Sequence, residues 1–111
     1  MAVTIDLSTG SVVFVGQSVV TDDTSTTVNI QMKANRVYKF TQPLTQLNIE
    51  SVDNSVFESE IIFTAGSSIS VAVPSSVGVI VMPTFSAGKS YVISIKNGIA
   101  VGAEYTPGVG V

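Results

Sequence analysis

Short segments in which apolar and polar residues alternate recur along the chain. The apolar members of the clearest segments are Val28, Ile30 and Met32, then Leu47 and Ile49, then Ile69, Val71 and Val73. A period of two residues places one face of a β-strand on a core and the other in water. No segment spaces its apolar residues at the 3.6-residue period of a helix, so we expect little or no helix.

Turn residues divide the chain into about ten short strands rich in Val, Ile, Thr, Tyr and Phe, which fit a pleated, half-buried surface. The predicted strands cover residues 2–7, 11–20, 26–32, 36–40, 45–51, 57–64, 68–73, 77–82, 90–96 and 99–105. Short strands at this interval are typical of an all-β domain. We therefore predict one domain over residues 1–111, an antiparallel β-sandwich or barrel without a convincing internal repeat. Residues 1–20 are a candidate assembly arm, and the Gly-rich residues 106–111 are expected to be flexible or exchanged with a neighbouring chain.

The strongest local signal is Asn97-Gly98 between two apolar strands. This dipeptide tolerates positive φ at both central positions and so favours a two-residue type I′ hairpin. The resulting register pairs Lys96 with Ile99 and places Ile93 opposite Gly102. Large residues opposite small ones indicate that another segment packs closely over this hairpin.

The composition suggests that part of the surface is covered by another chain. Val plus Ile number 29 and Ser plus Thr number 26, against 5 basic and 8 acidic residues and no His, Cys or Trp. A monomer of 11.5 kDa exposes roughly 5,800 Å² by the usual scaling. So few charges cover that area thinly, and we expect a homo-oligomer that buries apolar surface between subunits.

The same composition argues against several functions. A net charge of −3 and a pI near 4.5 are unfavourable for binding nucleic acid, which needs clustered Lys and Arg. No apolar run approaches the roughly 20 residues of a membrane helix, and the start of the sequence lacks a signal peptide's basic region. Without His or Cys, nucleophile–base pairs such as Ser–His are excluded. We expect no enzyme, no cofactor, no bound metal and no membrane partner.

Two sets of residues are candidates for contact with a ligand or a partner. The first is the aromatic set Tyr38, Tyr91 and Tyr105, whose rings would stack on a sugar or on a partner protein if exposed. The second is the basic set Lys33, Arg36 and Lys39 around one turn, which would suit an acidic partner or simply protect a strand edge. The phenylalanines are most simply core residues: Phe14, Phe40, Phe57, Phe63 and Phe85.

Carboxylates suggest two weaker alternatives. Glu58 and Glu60 share a strand face at a separation that a glycosidase can use, although a solvated face explains them more simply. Asp22 and Asp23 lie in a polar loop that would suit a hard cation such as calcium, but their spacing matches no calcium loop and Asp is common in turns.

Five segments in a fixed order support a family resemblance. They are Ala34–Phe40, Leu47–Ile49, Glu58–Gly66, Ser70–Pro74 and Ala87–Val101. Over about two thirds of the chain they resemble modules of small phage virion proteins, namely the fibre, baseplate or head-decorating proteins of phages that infect gut bacteria. Where those modules usually have a Trp or a longer polar loop after the Pro, this chain has Val77–Met82.

The resemblance implies a non-enzymatic β-domain that is made in the host bacterial cytoplasm and assembles on the virion, often as a homotrimer, beside other virion proteins. It implies no catalytic residue. The alternative function is a carbohydrate- or receptor-binding module that recognises a host surface glycan, and the two functions are compatible at the tip of a fibre.

Overall fold

The structure, a computed structural model, describes residues 2–6, 11–15, 18–52 and 58–107. Its strands are β1 Ala2–Asp6, β2 Ser11–Val15, β3 Ser18–Asp22, β4 Thr27–Met32, β5 Arg36–Phe40, β6 Leu44–Val52, β7 Glu58–Ala72, β8 Gly78–Val81, β9 Ser90–Lys96 and β10 Ile99–Tyr105. The described residues contain no helix. The predicted all-β class is therefore confirmed, and the number of described strands equals the roughly ten predicted.

Two predicted strand boundaries are wrong. The predicted strand 11–20 is divided between β2 and β3, and the predicted strands 57–64 and 68–73 are one long strand, β7. Gly66 lies between the two predicted strands, and it is buried where a Cβ would lie 3.0 Å from the Leu44 carbonyl oxygen. Glycine here allows β7 to pass close to β6 without ending.

Strands β3 to β7 form a stack of parallel rungs. We use "rung" for β3 with β4, for β5 with β6, and for the two halves of β7. β3 pairs with β5, and β5 pairs with the N-terminal half of β7 at residues 60–62. Likewise β4 pairs with β6, and β6 pairs with the C-terminal half of β7 at residues 65–72. All of these pairings are parallel, so the arrangement is solenoid-like.

This arrangement corrects the predicted antiparallel sandwich or barrel. The eight strands β3 to β10 form one mixed sheet, with β4 and β6 branching from β7. The alternation of apolar and polar residues determines which side chains are buried, but it does not determine which strand pairs with which. Between β4 and β5, Asn35 has a φ of 57°. The turn suits a hairpin, yet each strand pairs with the neighbouring rung instead.

Antiparallel strands extend the sheet beyond β7. β9 pairs with β7 and β10 pairs with β9, while the short strand β8 lies parallel to β10. The predicted Asn97-Gly98 hairpin is confirmed: Lys96 pairs with Ile99 and Ile93 with Gly102. Positive φ values of 52° at Asn97 and 72° at Gly98 match a type I′ turn.

The N-terminal part of the chain contributes to two sheets. β1 and β2 form an antiparallel pair of their own, with Ala2 opposite Val15. β3, in contrast, belongs to the main sheet, where Val19 lies opposite Val37. Residues 18–20 of the candidate arm are therefore part of the rung stack. Residues 1, 7–10, 16–17, 53–57 and 108–111 lie outside the described residues, including parts of the predicted arm, strands and tail.

One continuous core joins both strands of the rungs to the antiparallel part of the sheet. Its fully buried large side chains include Leu44, Leu47, Ile49, Ile61, Phe63, Tyr91, Ile93 and Ile95. Phe40 is also buried, and Phe85 is half-buried with its ring centroid 5.8 Å from that of Phe63. These three phenylalanines confirm the predicted core. The side chains of Phe14 and Phe57 lie outside the described residues.

Candidate functional site

The edge strand β8 displays the largest continuous set of exposed apolar residues in the described chain. Val79, Ile80 and Val81 are all exposed, and Ile80 is 70 % accessible. Among the described strands, β8 pairs only with β10. Within the described residues, its other side therefore presents backbone N–H and C=O groups that no strand pairs with, and another strand can bind groups of this kind.

A β-bulge explains why Ile80 is so exposed. Ala100 lies opposite Val79 and Val101 lies opposite Val81, so Ile80 has no counterpart on β10. An extra residue of this kind bends the strand and re-aims its side chain. Val77, just before the strand, is buried and anchors it to the core. Of this apolar segment, Val77 is therefore buried, whereas Val79, Ile80 and Val81 are exposed to solvent.

An apolar groove of about 400 Å³ lies beside this edge. Ile80, Ile99 and Val101 contribute apolar side chains to it, and Glu58 and Lys96 contribute charged ones. Glu58 lies opposite Lys96 in the β7–β9 register. Strand β8 itself carries no charge. We name Val79, Ile80, Val81, Ile99 and Val101 the β8 edge patch.

The opposite edge of the sheet has a similar character. β3 pairs only with β5 among the described strands, and Val19 is 62 % accessible. Val20 is exposed as well, although the pleat directs it to the other side of the sheet. Both ends of the main sheet therefore expose valine or isoleucine.

Two of the three candidate tyrosines, Tyr38 and Tyr91, are buried, so they do not meet the condition of exposure that stacking on a ligand requires. Tyr91 is 0 % accessible, and its hydroxyl accepts a hydrogen bond from the Ser86 N–H (2.7 Å) and donates one to the Thr84 carbonyl (3.3 Å). The Tyr38 hydroxyl accepts from the Lys33 N–H at 2.8 Å. Each ring is core and each hydroxyl stabilises a turn, so neither ring offers a face to a ligand.

Tyr105 differs from the other two because it is exposed. It lies on β10 and lines a second groove of about 330 Å³ together with polar side chains from β7, β9 and β10. One of these is Glu104, which lies 3.5 Å from the Lys89 ammonium (Nζ to Oε1). This places an aromatic ring beside a carboxylate in an open groove.

The basic set does not form one patch. Arg36 and Lys39 are three residues apart on β5, so their side chains point to opposite faces of the sheet. The Arg36 N–H donates to Ser59 Oγ (3.1 Å), which in turn donates to the Lys33 carbonyl (2.6 Å). The backbone of this turn therefore has a structural role, and the Lys33 and Lys39 side chains are exposed.

The carboxylates of the polar loop cap a corner between rungs. Asp22 Oδ1 accepts hydrogen bonds from the N–H groups of Ser25 (2.9 Å) and Thr24 (3.0 Å), and Asp23 Oδ1 accepts one from the Thr41 hydroxyl. The backbone hydrogen bond from Ser25, followed by the one from Thr24, lowers the pKa of Asp22 below its usual value. Bonds of this kind stabilise the charged form.

The other acidic pair shares a strand face, as the spacing predicts. Glu58 and Glu60 both lie on β7, with Glu60 opposite Ser94 of β9. Glu58 is exposed at the groove beside the β8 edge patch, whereas Glu60 is half-buried. Among the described residues, no three acidic side chains come together in a group able to hold a metal ion. Nor does this part of the chain form a helix long and apolar enough to cross a membrane.

The sequence does not reveal the β8 edge patch as a site. Val77–Met82 is an apolar run without polar alternation, and that is the signal that distinguishes it from the half-buried strands. Such a run is equally typical of a fully buried strand, and exposure depends on which neighbours the strand receives. No protein-family model, no curated protein and no solved structure matches the chain.

Proposed function

We propose that this chain is a non-enzymatic structural protein that works by homo-oligomeric assembly on a phage virion. The observation that carries the proposal is the β8 edge patch, an uncharged strand edge whose side chains are exposed. Large exposed apolar patches are rare on monomeric proteins. When such a patch is bounded by polar residues, it usually marks a site of contact with another protein.

A second copy of the same chain is the partner that this edge fits. Monomeric β-proteins protect their edge strands with Lys, Pro or inward-pointing charges. Strand β8 reads Gly-Val-Ile-Val and has no Lys, no Pro and no charge; it is short and has a β-bulge, but the bulge leaves Ile80 exposed at the edge, and β3 at the other end of the sheet exposes valines too. β8 carries no charge, and the single charge on β3 is Asp22 at its C-terminal end, where the N–H groups of Ser25 and Thr24 bind the carboxylate; copies of this chain are therefore suited to pair through these strands.

The virion setting and the trimeric stoichiometry come from the sequence resemblance. Fibre, baseplate and decoration proteins are present at high local concentration on the particle, where even a modest contact between subunits is favoured by mass action. Other virion proteins would then contact the remaining surface. Mass spectrometry of purified particles of the phage that encodes the chain tests this part separately.

Solution mass tests the assembly. We expect the mass of the wild-type protein, measured by analytical ultracentrifugation across the micromolar range, to rise with concentration to a multiple of the chain's own mass. Replacing Ile80 with Lys places a charge on the edge, and desolvating that charge is costly. We expect the dissociation constant of the Ile80→Lys variant to rise by at least about tenfold.

A matched control adds the same charge elsewhere. Gln42 is exposed in the turn between β5 and β6, separated from β8 by β7, β9 and β10 in the order of the sheet, so Gln42→Lys should leave association through β8 unchanged. A wild-type protein that stays monomeric over the whole range contradicts the proposal. Equal weakening by both substitutions contradicts the role of the β8 edge patch.

A further inference from the structure

The main sheet has an apolar surface on the side that faces away from the core. The strand register places alternate residues of β5, β7, β9 and β10 on this side, among them Val37, Ile62, Val92, Val101 and Ala103. They are half-buried or exposed, whereas the residues between them, such as Ile61 and Ile93, are fully buried in the core. We name this surface, together with Lys39 and Glu60 that lie on it, the outer face.

Two opposite charges lie at the centre of the outer face. Lys39 of β5 and Glu60 of β7 are diagonal neighbours, because Lys39 is the register partner of Ile62 and Glu60 is that of Val37. Lys39 is exposed and Glu60 is half-buried, and neither forms an ion pair with another described residue. A charge that is partly removed from water is stabilised when an opposite charge pairs with it. The outer face therefore offers a partner one anionic and one cationic contact.

We propose that the outer face binds the outer face of a second copy of this chain, by packing of sheet on sheet about a two-fold axis. An axis along the diagonal from Val37 to Ile62 sets each of these apolar side chains against its own counterpart. The same axis brings Lys39 of each copy to Glu60 of the other. A two-fold contact requires a surface that is complementary to itself in this way.

The size and charge of the outer face fit a weak, reversible contact. The main sheet has six strands side by side, spaced by about 4.8 Å, and its longest outer strands have seven residues, which gives roughly 600 Å² on each copy. A standard interface buries about 800 Å² per partner, so we expect association in the micromolar range. At the border of the face Glu58 lies opposite Lys96, so charges of both signs are balanced and two like faces carry no net repulsion.

This contact deepens the proposed homo-oligomeric assembly and rests on it, but it uses a different surface. The axis lies over β5 and β7, whereas β8 lies at the far end of the sheet beyond β9 and β10. Only Val101 belongs to both the outer face and the β8 edge patch. In the Ile80→Lys variant the edge contact is weakened while the outer face is unchanged. We therefore expect that variant to associate as far as a dimer, with twice the mass of one chain.

The test introduces charge reversals into the Ile80→Lys protein and measures its mass by sedimentation velocity across the micromolar range. Lys39→Glu sets carboxylates against each other across the axis, and Glu60→Lys does the same with ammonium groups. The contact occurs twice in each dimer, so either variant should raise the dissociation constant by at least about tenfold. The matched control is Lys33→Glu, the same charge change in the exposed turn before β5, which should leave the dimer unchanged.

A mixture of the Lys39→Glu and Glu60→Lys variants gives the decisive result. In a mixed dimer each reversed residue meets an opposite charge on the other copy, so the dissociation constant should return to within about threefold of that of the unreversed protein. Inside each chain the two residues remain like-charged, so only contacts between chains account for such a recovery. If Glu60→Lys does not fold, the comparison of the exposed Lys39→Glu with Lys33→Glu still decides.

Three results would overturn the proposal. The first is an Ile80→Lys protein that is monomeric over the whole range; if the wild type associates, the β8 edge patch is then the contact and the outer face is not. The second is a Lys39→Glu dimer as stable as that of the Lys33→Glu control. The third is a mixture that associates no better than its two components. Association that responds to Lys39→Glu but not to Ile80→Lys would support the outer face and contradict the edge patch, and a wild type that never associates contradicts both.

Discussion

Gly102 offers the sharpest test of how the antiparallel part of the sheet is packed. It lies on β10 opposite Ile93, and the Met82-Pro83 segment packs directly over it. A Cβ at this position would lie 2.5 Å from Met82 Sδ and 3.0 Å from Pro83 Cδ. The methionine can move, but the proline ring is rigid. Replacing Gly102 with Ala should therefore overpack the site and destabilise the fold.

The magnitude follows from comparison with Gly78. Neither glycine has a positive φ, and a Cβ on Gly78 would contact nothing within 4 Å. Each Gly→Ala change lowers the entropy of the unfolded chain, a stabilisation of about 0.4–1 kcal/mol. Overpacking costs about 1–3 kcal/mol. Because the entropy contributions cancel between the two variants, their free energies of unfolding should differ by about 1–3 kcal/mol.

Urea unfolding followed by circular dichroism measures this difference directly. We expect Gly78→Ala to be as stable as the wild type or slightly more stable, and Gly102→Ala to unfold at lower urea. In a Gly102→Ala/Met82→Ala double variant the loss should be smaller than the sum of the two single losses, with a coupling energy of about 0.5–3 kcal/mol. Equal midpoints for Gly78→Ala and Gly102→Ala would refute the packing argument.

Two further predictions concern the corners between rungs. Ser59→Ala removes the fully buried hydroxyl that bonds the Lys33 carbonyl and the Arg36 N–H; it should cost about 1–3 kcal/mol in urea unfolding, whereas the exposed Ser70→Ala should not. The folded-state pKa of Asp22 is lowered from 3.8, so its contribution is present above pH 3.8 and is lost as pH falls through the folded-state pKa. An NMR titration of the wild type should give a midpoint below pH 3.8 for the Asp22 carboxylate. The free energy of unfolding of Asp22→Ala should fall less on acidification than that of the wild type. A midpoint at or above pH 3.8 contradicts this prediction.

Local chemistry explains what the sequence predicted correctly. The Asn97-Gly98 hairpin and the buried positions of β4 and β6 depend on neighbouring residues, so turn geometry and alternation suffice. The parallel rungs depend instead on pairing between β3 and β5 and between β4 and β6, strands that are not adjacent in sequence. Nothing in an alternating pattern identifies a partner strand, which is why an antiparallel sandwich or barrel was predicted.

The candidate site residues show the same difference between what local sequence predicts and what depends on distant parts of the chain. Tyr91 and Tyr105 look equivalent in sequence, since each occupies a strand near a turn. They differ because the Thr84–Ser86 segment folds back to satisfy the Tyr91 hydroxyl, while Tyr105 lies at the end of its strand and no segment among the described residues covers it in this way. Burial here is decided by a returning loop, and a single sequence does not show where a loop returns.

The directions of the two edge strands bear on the form of the assembly. β3 and β8 run the same way in the sheet, because the two antiparallel pairings between them cancel. Pairing of β8 with β3 of another copy would be parallel and head-to-tail; it closes as a ring, such as a trimer, if the rotation between copies allows it, and otherwise continues with a free edge at each end. Pairing of β8 with β8 of another copy would be antiparallel and would close as a dimer. A solution mass that levels off at a fixed multiple therefore indicates closed contacts, and a mass that keeps rising with concentration indicates joining of unlike edges.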